Sequence, residues 1–182
     1  MTDSQPSFQI RSDEILHDWH VFRLIERNVV APDNKAFQRT FLDSPGAVGV
    51  LALTDENEVV LVRQYRATLN DMSWEIPAGM RDKPGEEMLV TAQRELAEET
   101  GYTARSWEFL GQLTAAVGVT NSTVHLYIAR GLSQVPVEPD GPEEEHMTIA
   151  LVPFSKALQM MHDGVITDSK SMIALLLAER AL

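Results

Sequence analysis

Residues 86–100, Glu-Glu-Met-Leu-Val-Thr-Ala-Gln-Arg-Glu-Leu-Ala-Glu-Glu-Thr, restrict most tightly what this chain can become. Leu89, Ala92 and Leu96 recur at i, i+3 and i+7, the period of an amphipathic helix, and Gly101 is a residue free to take positive φ at its end. The same helix has to carry Glu95, Glu98 and Glu99. At ~100° per residue, Glu95 and Glu99 lie about 40° apart and Glu98 about 60° to the other side of Glu95. Like charges so close destabilise a helix, and Arg94 is the only nearby helical base. Helix stability alone does not select that pattern. A solvated acidic face and a site for a hard divalent cation both account for it, because Mg²⁺ takes oxygen ligands and clustered carboxylates hold it.

Strand-like runs flank this helix. Residues 20–42 read as a hairpin turning at Ala31-Pro-Asp-Asn-Lys35, joined by Asp43-Ser-Pro-Gly46 to the main body. Residues 47–53 and 58–64 form a second hairpin about Thr54-Asp-Glu-Asn57. Trp74-Glu-Ile-Pro77 is a short extended piece. Strands follow at 108–115, 123–130 and 148–152. Helices are expected over 155–163 and 168–182, with Ser155 and Asp168 as N-caps and Gly164 as a stop. Strands, helix, strands and two helices in that order predict a mixed α/β (α+β) plan rather than regular βα alternation. The division falls after residue 45, between an N-terminal β region (1–45) and a main domain (46–182).

Charge narrows the function. The chain has 27 Asp and Glu against 15 Lys and Arg in 182 residues, a formal net charge of −12. Residues 79–102 and 138–145 together hold eleven acids and three bases, eight of those twelve net charges. A broad binder of nucleic-acid backbones needs a basic face, so that class is excluded, and an anionic membrane surface is disfavoured for the same reason. With no cysteine, a disulfide framework, a thiolate zinc site and a thiol nucleophile are impossible. The apolar run 172–178 falls far short of the ~20 residues that span a bilayer, and residues 1–8 lack a basic and an apolar leader region. A cytoplasmic protein is expected. His17, His20, His125, His146 and His162 show no H-E-x-x-H zinc pattern, and no G-x-S-x-G elbow is present.

From Glu86 onward the chain resembles the signature of the Nudix hydrolases, G-x5-E-x7-R-E-U-x-E-E-x-G-U, where U is a bulky apolar residue. Glu86 is followed by seven residues and then Arg94-Glu95-Leu96-Ala97-Glu98-Glu99-Thr100-Gly101-Tyr102. Eight of the nine specified positions are in register. The departure is at the start, where Gly79 and Glu86 enclose six residues instead of five; an extra loop residue leaves the helix register intact. Val60-Leu-Val-Arg-Gln-Tyr-Arg66, Trp74-Glu-Ile-Pro-Ala-Gly79 and the acidic Glu143-Glu-Glu145 resemble the subgroup of ADP-ribose pyrophosphatases and related nucleoside diphosphate sugar hydrolases. The resemblance covers roughly residues 20–180.

It implies a Nudix-type α/β/α sandwich with a mixed sheet, plus the N-terminal β-hairpin region as a site of homodimerisation and of substrate contacts. It also implies Mg²⁺-dependent hydrolysis, with Mn²⁺ able to substitute, of the diphosphate bond in ADP-ribose or a related nucleoside diphosphate sugar. Glu95, Glu99 and the Ala78 carbonyl would ligate the metal, and Glu98 would share a second ion or bond its water. Glu86, favoured by the helix dipole, would support the metal site together with Arg94 and Gly79, Arg94 pairing with a neighbouring carboxylate. Glu144 would act as general base, with Glu145 or Glu143 in reserve. Arg66 would contact the diphosphate, Arg39 would assist, and Trp19 or Phe22 would stack the nucleobase. The subgroup usually carries a proline where this chain has Val117, and an acid near Ser122. Both departures leave the diphosphate chemistry untouched and the base and sugar open, so GDP- and UDP-sugars are rival substrates. A non-catalytic nucleotide-binding module is the rival of another class.

Overall fold

A computed structural model describes residues 7–136 and 146–180. The chain divides into two compact units, Met1–Pro45 with Thr114–Ser122, and Gly46–Leu113 with Thr123–Leu182. Among the described residues no helix is long and apolar enough to cross a membrane.

The first unit is a three-stranded antiparallel sheet in the order β1 (Gln9–Asp18), β2 (Arg23–Val30) and β3 (Ala36–Asp43). The β2–β3 turn forms as its chemistry predicts, with Asn34 at φ 66° and its N–H donating to the Ala31 carbonyl. The sequence reading found this hairpin and missed β1. Every residue of β1 is exposed and its pairing with β2 breaks register twice, so no buried face imprints an alternation on it. Its hold on β2 includes polar cross-strand contacts. Arg27 faces Arg39 across β2 and β3, a like-charge pairing, and Asp13 relieves it by accepting the Arg27 Nε and Nη2 at 2.8 and 2.7 Å. The segment 114–122 joins this unit through the end of β3. Thr120 Oγ1 donates to the Leu42 carbonyl, and Asn121 Nδ2 donates to Asp43.

The second unit is built on a mixed sheet in the order β10 (Thr148–Pro153), β5 (Glu58–Arg66), β4 (Ala47–Leu53), β9 (Thr123–Gln134) and β8 (Tyr102–Thr114). Two short strands attach to it, β6 (Asp71–Glu75) on β5 and β7 (Ala78–Met80) on β4. β4 runs parallel to β9 and antiparallel to β5 and β7. It is apolar throughout because both its faces are covered. Val48, Val50 and Ala52 join Val60, Ala92 and Leu96 under α1 (Met88–Thr100). Leu51 and Leu53 join a second core beneath α2 (Phe154–His162) and α3 (Ser169–Glu179). Helices on both faces of a mixed sheet make the α/β/α sandwich. A fully buried Leu such as Leu96 contributes roughly 1.5–3 kcal/mol.

The helices correct two details and bear out a third. Leu89 is 38% exposed, so α1 turns Ala92, Leu96, Thr91, Glu95 and Glu99 inward instead of a Leu89-led stripe. Ser155 lies inside α2, whose N-cap is Pro153 with no side-chain cap; Phe154 packs into the core and pulls the helix start forward. Asp168 caps α3 as expected, accepting from the Ser171 N–H at 3.0 Å.

Candidate active site

β7 and α1 bring the sequence-predicted acids together. β7 pairs with β4 through Val48 and Gly79, which fixes the Ala78–Gly79 backbone against the face that α1 covers. A Cβ built on Gly79 would lie 1.9 Å from the Glu95 carboxyl carbon and 2.1 and 2.3 Å from its oxygens. Only glycine lets that carboxylate reach the β7 backbone. One turn on, Glu99 Oε2 accepts the Ala78 N–H at 2.8 Å. Glu95 and Glu99 are 7% and 4% exposed, so both acids lie in the wall between strand and helix. The helix ends directly after Glu99 and Thr100 at Gly101, whose φ is 67° and whose N–H donates to the Ala97 carbonyl.

Arg94 is the hub of the remaining charges. It reaches Glu98 and Glu95 at 2.7 Å, Glu86 at 3.1 Å and Asp82 at 3.3 Å. Thr91 Oγ1 also donates to Glu86, and Arg81 Nε donates to the Glu86 carbonyl, so the loop before α1 is tied to its first turns. Arg94 beside it, more than any other group, holds the Glu86 carboxyl below the ordinary range. Burial opposes that and Thr91 adds to it. Glu95 moves the other way. Burial pushes its carboxyl up to about 7, Arg94 pulls against that, and Glu98 and Asp82 add repulsion.

These residues fit a hard divalent cation. The donors are oxygens only, two carboxylates are buried against a glycine cradle, and a single arginine serves four acids. Among the described residues no three His, Asp or Glu side chains converge as a ligand set, and Arg94 pairs with both Glu95 and Glu98. Glu143, Glu144 and Glu145 lie outside the described residues.

Arg66 stands in a second cluster of the same unit. Its Nε and Nη2 form a fork on Glu75 at 2.8 and 2.6 Å, and Lys170 Nζ donates to the same Glu75 oxygen. Sequence reasoning missed Glu75 and Lys170. The one available signal was an acid lodged between Trp74 and Ile76 in a strand. Burial would raise the Glu75 carboxyl, but Arg66 and Lys170 outweigh it and hold it at about 2, against 4.5 ordinarily. A depressed pKa means that the ionised form stabilises the fold fully above about pH 4.5 and that this is lost as pH falls toward 2. The stability gap between the wild type and Glu75→Gln, measured by denaturant unfolding, should therefore narrow from pH 4.5 to pH 2. A gap that stays constant would contradict this.

The other predicted substrate residues lie in the first unit. Arg39 Nη1 donates to the Gln38 carbonyl, and its guanidinium lies 4.7 Å over the Phe37 ring. It lines a cavity of about 640 Å³ with Arg27, Phe41 and Asn121. Trp19 is half-exposed beside His17, with ring centroids 4.4 Å apart, and lines an apolar cavity with Phe22 and Leu42.

A NUDIX domain model matches residues 43–176, and the chain belongs to the Nudix hydrolase family. It is 38% identical over 165 residues to a methanol dehydrogenase activator from Bacillus methanolicus, covering 91% of this chain and 88% of that one. It is 34% identical over 166 residues to an ADP-ribose pyrophosphatase from Mycobacterium tuberculosis, covering 91% and 80%. A GDP-mannose pyrophosphatase from Cronobacter sakazakii is 29% identical over 178 residues, covering 92% of each chain. The crystal structure of an ADP compounds hydrolase superposes with a TM-score of 0.85 at 22% identity, covering 100% of this chain and 97% of that one, a likeness of fold.

Proposed function

We propose that this chain hydrolyses the diphosphate bond of ADP-ribose or a related nucleoside diphosphate sugar, giving a nucleoside monophosphate and a sugar phosphate. The observation that carries this is the Glu95–Gly79 and Glu99–Ala78 junction, two buried carboxylates lodged against one strand. Glu95, Glu99 and the Ala78 carbonyl would hold Mg²⁺, or Mn²⁺ in its place, with Glu98 sharing a second ion. When bound, the metal neutralises the diphosphate and polarises its phosphorus toward attack. Water adds to one phosphorus, the bridging P–O bond breaks, and the departing phosphate keeps the bridging oxygen. Glu144 accepts the proton of the attacking water. Arg94 holds Glu86 and Glu98 in place and does not face substrate.

Arg66 meets the diphosphate, since a guanidinium suits phosphate oxygens. Arg39 assists, and Trp19 stacks the base. The exposed side chains of Phe8, just before β1, and of Ile10, Ile15 and Leu16 on it favour residues 1–45 as the surface that pairs with a second copy, and the protein works in the cytoplasm as a homodimer. The GDP-mannose pyrophosphatase relative favours a second substrate reading, a GDP-sugar. Comparing phosphomonoester release from ADP-ribose, GDP-mannose and UDP-glucose separates the two. Glu144→Gln should lower kcat more than about tenfold while leaving the unfolding temperature unchanged, as loss of a general base does. Wild-type turnover in that variant would remove Glu144 from the reaction.

A further inference from the structure

We infer that Lys170 is a positioning residue for Arg66, acting through Glu75, and that it governs how firmly the site holds an anionic phosphate, not how fast the bond breaks. This rests on the proposed function, in which Arg66 meets the diphosphate. Glu75 is 3% exposed at its side chain and is shared by two cations. Arg66 takes both carboxylate oxygens as a fork, and Lys170 Nζ donates to Oε2 at 2.5 Å. Lys170 is in turn fixed by Asp168 at 3.0 Å, and Asp168 caps α3. Next to it, Ser171 Oγ accepts the Ile76 N–H at 2.8 Å, so the first turn of α3 is fastened to the end of β6 beside Glu75.

The fork occupies two of the five guanidinium N–H donors. The Arg66 side chain is 39% exposed and borders a cavity of about 480 Å³ that Thr68, Ser73 and Lys170 also line. Its open edge is thus available while its plane is set by Glu75. An arginine on a free stem would lose rotamer entropy on binding, and one already held in plane loses less. Lys170 makes the sharing tolerable. A phosphate that draws on Arg66 would strip a buried carboxylate of its only counter-charge if Arg66 stood alone, a costly loss. With Lys170 in place, Glu75 keeps a cation while Arg66 turns donors to the ligand.

The test reads affinity apart from turnover. Lys170→Met should weaken binding of inorganic pyrophosphate, measured by calorimetry, and raise KM for ADP-ribose, each by about tenfold, with kcat within about threefold of wild type. Lys170→Arg should recover most of both. In an Arg66→Ala background Lys170→Met should change neither, because its effect passes through Arg66. Unchanged pyrophosphate affinity and KM in Lys170→Met, well below its unfolding temperature, would overturn the inference. So would an equal effect in the Arg66→Ala background, or a wild type that does not bind pyrophosphate. Should Lys170→Met not fold, Lys170→Gln keeps a donor without the charge and is read the same way. A wild type that binds pyrophosphate yet cleaves no nucleoside diphosphate sugar would sink the proposed function and leave the Lys170 binding test standing.

Discussion

Glu99→Gln is expected to lower turnover by about a thousandfold, roughly 4 kcal/mol of transition-state stabilisation. The fold should survive, because the glutamine carbonyl oxygen can still accept the Ala78 N–H that Glu99 Oε2 accepts at 2.8 Å. What is lost is a full negative charge in a wall where Glu99 is 4% exposed and water does little to replace it. An unfolding midpoint near that of the wild type beside the collapse in kcat is the combined result expected. Turnover within about tenfold of the wild type would show that the Glu99 charge is dispensable, which no metal-dependent account built on α1 allows.

Gly79→Ala carries the second large effect, at least about a hundredfold in kcat at saturating ADP-ribose, since a misplaced ligand costs orders of magnitude. The added methyl would sit 1.9 Å from the Glu95 carboxyl carbon, inside any real contact distance. Something has to move, and the Glu95 carboxylate is the freest part, the far end of a flexible side chain. Gly79 is not at positive φ, so alanine brings no backbone strain. Stability should therefore change by no more than about 1–2 kcal/mol, the small end of overpacking costs, while the carboxylate leaves its place. Higher Mg²⁺ should restore part of the activity. A variant that unfolds, or one that turns over like the wild type, would count against Glu95 as the group in contact with β7.

The parts of this site legible in the sequence are those fixed by register along one helix. Glu95, Glu98, Glu99 and Arg94 share α1, so spacing alone places them together. The same holds for Asp168 as a cap, which acts on its own helix. The need for Gly79 was legible only as a motif position, because its cause is the distance between β7 and α1. Glu75 and Lys170 are 95 residues apart and meet only when α3 docks beside β6, so neither residue announces the other. β1 escaped because burial leaves no mark on a strand whose ten residues are all exposed. Leu89 misled for the opposite reason. It keeps helical period with Ala92 and Leu96, yet the sheet takes up a face of α1 that Thr91 and the two buried acids share.

The acidic balance of the chain also takes on a physical meaning. Six of its acids lie in residues 79–102, and Arg94 alone joins four of them. Glu95, which burial drives up to about 7, shares the counter-charge of Arg94 with three other acids. In the proposed function a divalent cation would add to that counter-charge.

The most direct measurement is phosphomonoester release from ADP-ribose by wild type and Glu99→Gln across a Mg²⁺ titration, with a chelated sample as the zero. The account predicts AMP and a sugar phosphate from the wild type in proportion to Mg²⁺ occupancy, none in chelator, and about a thousandfold less from Glu99→Gln at every Mg²⁺ concentration. Equal release with and without metal, or equal release by the two proteins, would contradict it.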